Sequence, residues 1–484
     1  MSTVRQALAF SFLERYLTLA IALGSSMVIA RLLTPAEIGV FSVTMAFVGI
    51  AQVLRDFGVA SYLIQERELT QAHVRTAFGI LLVLGGLVFL ALYATAPLIA
   101  LAYAEPAMTA TLKVCALNFL ALPFCTVSLA MLRREMAFKA LALVNFVAVL
   151  LGAVVSVGLA LLGHGVISLA IGAVAVNVVT GLGAWSARAD RQVMWPAFTE
   201  WRRVFNFGAQ SSVAGVVTSV SMDINDLAVG KIMGFEPVAM LSRAQGLMYM
   251  FHRDLMSAVK NVAYPAYAKS AREQASLEPI YITSVVYVTA IAWPFYGFVA
   301  LYAHQILRLM FGPQWDAAAS LVPIFCLAGA VAATCSLIAS LILAMGHVEL
   351  VTKAELIFQP FRAALIVAAA MVFKSTAACA AALVIALVIQ VPMLYYIKSE
   401  CLPNDHRSLQ HGLWQSLKLA VCTLALPLVL FFVLNVNTQW LVFSVAAIAC
   451  VVSWVVAAIC LKHPLAQDPA FKRFTAWIPL GGRP

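Results

Sequence analysis

The chain has 484 residues, of which 63% are hydrophobic and only 11% charged, and its mean hydropathy is +0.95. A soluble domain has roughly 45–50% apolar and about 25% charged residues, so this composition excludes a soluble protein and indicates a membrane protein. The net charge of +10 does not indicate nucleic-acid binding, because the basic residues are scattered through short loops and form no continuous stripe.

Fourteen stretches of the sequence are long and apolar enough to cross a bilayer, which takes about 20 mostly apolar residues. Lipid cannot satisfy open backbone polar groups, so each stretch is predicted to be a helix and the whole to be an all-α bundle. The first stretch is too long for a signal-peptide core and is interpreted as a retained span. In chain order the predicted spans are 8–30, 37–57, 77–101, 112–132, 141–162, 166–187, 207–229, 237–258, 281–302, 318–345, 354–374, 376–397, 412–434 and 438–461.

Lysine and arginine are distributed unequally between the two sets of loops. If the N-terminus is cytoplasmic, the opposite loops hold only Arg31, Lys113, Lys231, Arg308 and Lys374, and all other loop cations are cytoplasmic. Cytoplasmic loops carry the excess of Lys and Arg in membrane proteins. The asymmetry therefore predicts a multi-pass protein with both termini in the cytoplasm.

A short segment after the first span is echoed after the seventh. Arg31–Ser42 reads RLLTPAEIGVFS and Lys231–Ser242 reads KIMGFEPVAMLS, at a constant offset of 200 residues. The echo predicts two similar lobes of six helices each, which share one orientation because six is even. We expect a pseudo-two-fold axis along the membrane normal and a pathway between the lobes.

The repeat predicts a division of the chain into four parts. Residues 1–190 form the N-terminal six-helix lobe and 191–206 a cytoplasmic linker. Residues 207–400 form the C-terminal six-helix lobe, and 401–484 add helices 13 and 14 and a cytoplasmic tail.

Motifs for enzymatic or ATP-driven chemistry are absent from the sequence. It contains no GxxxxGK[ST], HExxH or GxSxG pattern, and its nine cysteines are spread singly without a CxxC pair. We therefore predict a protein that is not an enzyme, with no catalytic residues, no cofactor and no metal site.

Acidic residues inside predicted spans are the first candidates for function, because charge inside a bilayer is costly and usually faces a wet cavity or a partner. Asp223 and Asp226 are three residues apart and share a helix face, which suits a proton or cation site. The alternative is that both are solvated near the outer end of their helix. Asp56 is a third ion-coupling candidate, although it and Arg55 are also explained as the solvated inner end of helix 2.

Basic and polar residues in the spans are candidates for binding an anionic substrate. Arg15 and Arg243 could pair with phosphate groups, with Glu14 and Asn225 beside them in the same cavity. Arg15 is alternatively an anchor that reaches lipid phosphates. Arg243 is alternatively a structural partner of Asp223 or Asp226.

Six short motifs occur in a characteristic order along most of the chain. They are Ala30–Phe41 (ARLLTPAEIGVF), Asp56–Gln65 (DFGVASYLIQ), Leu132–Lys139 (LRREMAFK), Asn225–Gly234 (NDLAVGKIMG), Leu241–Ala244 (LSRA) and Phe311–Trp315 (FGPQW). Together they resemble the polysaccharide transporter family of Wzx-like lipid-linked oligosaccharide flippases, nearest the exopolysaccharide or colanic-acid branch. The family belongs to the superfamily that also holds multidrug exporters. One departure is Asn225-Asp226, where the family often has Asp-Asn, so no role carries over to Asp226.

The resemblance implies a flippase in the bacterial inner membrane. Its expected substrate is an oligosaccharide on undecaprenyl pyrophosphate, moved from the cytoplasmic to the outer leaflet by alternating access and coupled to protons or sodium. Membrane lipids, a polymerase and a chain-length protein are the expected partners, with no nucleic acid.

Other functions stay open at this point. A drug/cation antiporter of the same superfamily usually has about twelve spans and lacks helices 13 and 14. A membrane polysaccharide-processing enzyme would need an extracytoplasmic loop or an intramembrane catalytic histidine, which the sequence lacks.

Overall fold

The computed structural model describes residues 2–56, 59–66, 68–188, 195–199, 201, 219–251, 256–433, 440–469 and 471–472, and these are helical with short connections. The first eight helices are α1 (Ser2–Leu32), α2 (Pro35–Asp56), α3 (Val59–Gln65), α4 (Gln71–Tyr103), α5 (Ala107–Ala116), α6 (Asn118–Arg134), α7 (Phe138–Leu161) and α8 (Ile167–Ala187). After them come α9 (219–233), α10 (Phe235–Met250), α11 (Met256–Arg272), α12 (Leu277–Leu301), α13 (Ala303–Phe311), a 3₁₀ helix (Pro313–Ser320) and α14 (Val322–Ala333). The last six are α15 (Ile338–Ala344), α16 (Val348–Phe373), α17 (Thr376–Ser399), α18 (His406–Val433), α19 (Trp440–Cys460) and α20 (Pro464–Gln467).

Twelve helical segments of the described residues are long and apolar enough to cross a membrane. They match the first six and the last six of the fourteen predicted spans, which confirms an all-α membrane protein. The seventh and eighth predicted spans, 207–229 and 237–258, lie partly outside the described residues. Their described parts are helical, in α9, α10 and the first residues of α11.

The chain folds as two compact units, Met1–Ala239 and Met240–Pro484. In the first unit α7 packs on both α1 and α8, and α6 packs on α8. In the second, α12 packs on α14 and α18, and α16 packs on α17. The predicted linker 191–206 lies mostly outside the described residues, and the predicted lobe boundaries stay a prediction.

The echoed segments form the same helical corner in both halves. In each, one helix ends and the next begins at equivalent positions, Pro35 for α2 and Phe235 for α10. The first break is held by Thr34 and Glu37, because each donates its backbone N–H to the other's side-chain oxygen, at 2.8 and 3.3 Å. The second is made by Gly234, whose φ of +91° favours glycine.

A second pair of matched breaks lies further along, at an offset of 210 residues. Helices α7 and α16 begin at Phe138 and Val348. Each is preceded two residues earlier by a residue with positive φ, Met136 at 57° and Gly346 at 90°. The structural repeat therefore extends well beyond the two segments of similar sequence. Because the offset rises from 200 to 210 residues, the second half has an insertion between the two breaks.

Candidate functional site

The two echoed corners contact each other directly within the first unit. Gly39 of α2 lies so close to α10 that a Cβ placed on it would be 1.9 Å from the Phe235 carbonyl oxygen. A Cβ on Gly230 of α9 would lie 2.6 Å from Val43 Cγ2. Two glycines thus permit close backbone approach on both sides of the contact, and α9 is positioned against α2.

Side chains of α4 hold the end of α9 in place. The Tyr103 hydroxyl donates to the carbonyl of Leu227 at 2.9 Å, and the Tyr103 ring lies 6.1 Å from that of Phe235. The Lys231 ammonium donates to the Ala102 carbonyl and lies 5.7 Å from the centre of the Tyr103 ring. Lys231, predicted to be an outer-loop cation, is therefore part of a fixed helix junction.

The predicted ion-coupling carboxylates lie on α9 where it faces α2. Asp223 is half-buried, accepts a hydrogen bond of 3.0 Å from the Ser219 hydroxyl, and packs on Gly49, where a Cβ would be 2.8 Å from Asp223 Oδ2. Asp226 is also half-buried, one turn along the helix. Asn225 Oδ1 is buried and accepts no hydrogen bond from the described residues. Two carboxylates and an amide oxygen thus share one short stretch of helix.

Arg243 lies in the second unit, among aromatic rings. Its guanidinium carbon is 4.8 Å from the centre of the Phe311 ring and 5.2 Å from that of Trp315, within the range of a cation–π interaction. Trp315 is fully buried. The LSRA and FGPQW motifs, 68 residues apart in the sequence, are therefore in contact.

The remaining substrate-binding candidates lie near the start of α1. Glu14 is half-buried and accepts a hydrogen bond of 3.1 Å from the Thr18 hydroxyl. Arg15 is exposed on the same turn. The structure places both in the first unit and Arg243 in the second.

The interpretation of Arg55 as part of a solvated helix end is wrong. Its side chain is 1% exposed, donates to the Thr126 hydroxyl at 2.9 Å, and lies 3.1 Å from Asp56 Oδ1. Asp56 itself is 52% exposed. Thr126 on α6 supplies a polar partner that the spacing along α2 could not reveal, so Arg55 fixes α2 to α6 while Asp56 faces outward.

Two further motifs meet through Arg134. This residue of LRREMAFK donates from Nη1 to the carbonyls of Leu63, Ile64 and Glu66, at 3.1, 3.3 and 2.6 Å. Those carbonyls end α3, the helix of DFGVASYLIQ, and a cation at a helix C-terminus is favourable. LRREMAFK and DFGVASYLIQ are therefore joined through Arg134.

A buried ion pair in the second unit was missed by the sequence analysis. Lys398 is fully buried, 2.5 Å from Glu278 Oε2 and 2.7 Å from Asn404 Oδ1, with the Tyr281 ring 5.0 Å away. The Tyr281 hydroxyl continues the network by donating to Tyr395 at 3.0 Å. Lys398 follows a long apolar run and reads as an ordinary cytoplasmic-loop cation, so only the fold shows that it is paired.

Asp405 and His463, both outside the spans, have shifted pKa values. Hydrogen bonds from Ser408 hold the pKa of Asp405 below its usual range at the start of α18. Burial lowers the pKa of His463 to about 4. His463 Nδ1 accepts from the Leu465 N–H at 3.2 Å, so the remaining proton is on Nε2, 3.4 Å from the Ser416 hydroxyl.

Within the part of the chain that the structure describes, no group of three or more His, Cys, Asp or Glu side chains could hold a metal ion.

The chain is similar to known proteins in its sequence and in its fold. Residues 28–320 match the profile of a family described as "Polysaccharide biosynthesis protein". The chain is 21% identical over 432 residues to the lipopolysaccharide biosynthesis protein WzxC of Escherichia coli (strain K12), covering 88% of this chain and 87% of that protein. It is 25% identical over 338 residues to the succinoglycan biosynthesis transport protein ExoT of Rhizobium meliloti (strain 1021), covering 69% and 68%.

Among solved structures, the lipid II flippase MurJ in an inward closed conformation has a similar fold. The TM-score is 0.75 at 12% sequence identity, over 94% of this chain and 99% of that one. An identity this low supports the fold only, whereas the family profile spans more than half of the sequence. The chain therefore belongs to the family described as "Polysaccharide biosynthesis protein".

Proposed function

We propose that the protein is a flippase that moves undecaprenyl-pyrophosphate-linked oligosaccharide repeat units from the cytoplasmic to the outer leaflet of the bacterial inner membrane. The observation that carries the proposal is the family match over residues 28–320, on a chain whose fold resembles that of a lipid II flippase. The family concerns polysaccharide biosynthesis, and the protein of similar fold is a lipid flippase.

The physical task explains the need for such a protein. A sugar head group cannot cross about 30 Å of hydrocarbon without shielding, whereas the polyprenyl tail can stay in lipid. A polar cavity opening to one side and then to the other would carry the head group. Surface polysaccharide would then be assembled by a polymerase and a chain-length protein acting after this one.

In this proposal Arg15 and Arg243 bind the pyrophosphate, with Glu14 and Asn225 contacting the sugar. Arg243 is suited to this role because two aromatic rings fix its guanidinium and leave its donors in a defined orientation. The rings also lower the entropy lost when the arginine pairs with phosphate.

Cation coupling is assigned to the carboxylates of α9. Asp223 and Asp226 lie one turn apart on one face of the helix, which suits a proton or a sodium ion. Asp56, which is half exposed at the end of α2, is a second place for proton exchange. Because Asp223 packs on Gly49, a change in its charge would change how α9 packs on α2.

The test is a deletion strain complemented with variants. Without the protein, lipid-linked repeat units accumulate on the cytoplasmic side, and the wild-type gene restores surface polysaccharide. Arg243→Gln and Asp223→Asn are expected to restore at most a tenth of it, while Lys269→Gln, at an exposed position, restores all of it. Normal surface polysaccharide in the deletion strain, with raised sensitivity to drugs, would instead identify a drug exporter.

A further inference from the structure

The two units contain matching lateral grooves. The first groove, of about 670 Å³, lies between α6 and α8, and the second, of about 730 Å³, lies between α14, α17 and α18. Each is lined almost entirely by apolar side chains and lies within a single unit.

Eight lining residues of each groove occupy equivalent positions of the repeat. At the start of α6 and in its first two turns they are Leu117, Leu120, Ala121 and Phe124. The four positions 210 residues later, from Leu327 to Thr334, line the second groove. On α8 they are Val178, Gly181, Leu182 and Trp185, and these recur at the same offset, from Val388 to Tyr395. Each half thus has a groove lined at the same eight positions, although most of the side chains at these positions differ.

The first groove has the length of one leaflet. Its lining runs from Leu117 to Ser128 on one wall and from Val174 to Trp185 on the other, which is about 16 Å of helix on each. Half of a bilayer's hydrocarbon core is about 15 Å. Trp185, two residues before the end of α8, lies where aromatic side chains meet the membrane surface.

The groove is wide enough for the hydrocarbon chains of a lipid. Its volume of about 670 Å³, spread over a length of about 16 Å, gives a cross-section of roughly 40 Å² or more. Carbon atoms in contact are about 3.5–4.0 Å apart, so a packed hydrocarbon chain needs roughly 20 Å². The groove therefore fits two chains side by side.

Cations lie at the same end of both grooves. Arg133 is exposed in the last turn of α6, and Arg407 is exposed beside His406, which lines the second groove. Both lie on the side that we predict to be cytoplasmic. A basic residue at this depth attracts an anionic lipid phosphate.

We propose that each groove holds the two acyl chains of one phospholipid of the cytoplasmic leaflet, as a resident lipid of that half. The sites are separate from the translocated substrate, since a substrate bound once per cycle has one tail, while the groove occurs twice. An undecaprenyl chain is also far longer than the groove. The inference does not depend on which substrate is carried.

Native mass spectrometry of the purified full-length protein tests the proposal by counting retained phospholipids. Ala121→Phe fills the first groove and Ala330→Phe the second. The wild type is expected to retain two phospholipids, each variant one, and the double variant none. Val154→Phe and Val372→Phe, at exposed positions outside the grooves, keep both. Unchanged counts in the groove variants would overturn the proposal.

Photolabelling of the wild type gives a test that needs no folded variant. The protein is placed in vesicles of phosphatidylethanolamine that carries a diazirine on one acyl chain, and the labelled peptides are mapped. Labels concentrated on 117–128, 174–185, 327–334, 388–395 and 406–417 are expected. Labels spread evenly over all lipid-facing helices, or stronger labelling of these peptides by a diazirine polyprenyl phosphate, would contradict a resident phospholipid.

Discussion

The two echoed corners reach the same geometry by different local chemistry. In the first, Thr34 and Glu37 exchange hydrogen bonds across the break, and in the second Gly234 makes the turn through a positive φ. Yet the following helices begin at equivalent positions, Pro35 and Phe235. The position of the break is therefore the same in both halves, while the residues that make it differ.

The contact between the two corners is the feature that we expect to be most sensitive to mutation. Gly39→Ala is expected to destabilise the first unit by about 3 kcal/mol, because its Cβ would meet the Phe235 carbonyl and force α2 away from α10. Thermal unfolding in detergent measures the loss, and surface polysaccharide in complemented cells should fall with it.

The matched control is Gly86→Ala on α4, where a Cβ would meet nothing within 4 Å. This change is expected to be neutral or to stabilise by about 0.5–1 kcal/mol, because alanine favours a helix. Equal behaviour of the two variants would show that Gly39 is not a close contact between the corners.

The second half differs from the first by continuing beyond the repeat, where His463 is buried against α18. The pKa of His463 is about 4 in the folded protein and near 6.5 when unfolded. Between these values the unfolded state binds the extra proton, so stability is complete above about pH 6.5 and falls by roughly 2–3 kcal/mol as the pH drops to about 4. The unfolding temperature measured across this range should fall in the wild type.

His463→Gln removes the titration and should flatten that pH dependence. His411→Gln, at an exposed position on the same helix α18, should leave it unchanged. A wild-type slope that survives in His463→Gln would assign the pH dependence to another group.

Exchanging the residues at the two breaks sharpens the comparison. Gly234→Thr is expected to cost about 2 kcal/mol, because a β-branched residue is strained at φ +91°. The reverse change, Thr34→Gly, should cost only a few tenths of a kcal/mol, because glycine is tolerated at a helix N-cap. Chemical denaturation of both variants measures the difference, and equal costs would show that the two breaks do not depend on local backbone chemistry.

The smallest expected effect concerns the motif contact at α3. Arg134→Gln removes the charged donor from three carbonyls at the end of α3 and should cost about 1 kcal/mol. Lys139→Gln, which changes an exposed cation of the same motif, should be neutral. Thermal unfolding distinguishes the two, and an equal loss for Lys139 would show that Arg134 does not act as the cap of α3.

Much of the fold was predictable because membrane spans are defined by local composition. Twelve of the predicted spans agree with helices of the described residues, and the echo marked the corners at Pro35 and Phe235. The partners of buried charges were not predictable. Arg55 meets Thr126, and Arg243 meets Phe311 and Trp315, across 68 residues or more of sequence. Such pairs depend on how the helices pack, and the hydropathy of the sequence does not indicate that packing.

Translocation by the purified protein tests the central claim most directly. Proteoliposomes are prepared with an undecaprenyl-pyrophosphate-linked oligosaccharide in both leaflets, the outer sugars are removed with a membrane-impermeant glycosidase, and further loss of sugar is followed over time. The account predicts that wild-type protein exposes the inner pool faster than protein-free liposomes do, and that Arg243→Gln loses most of this acceleration. An inner pool that stays protected in the presence of folded wild-type protein, with either a proton or a sodium gradient, would contradict a flippase.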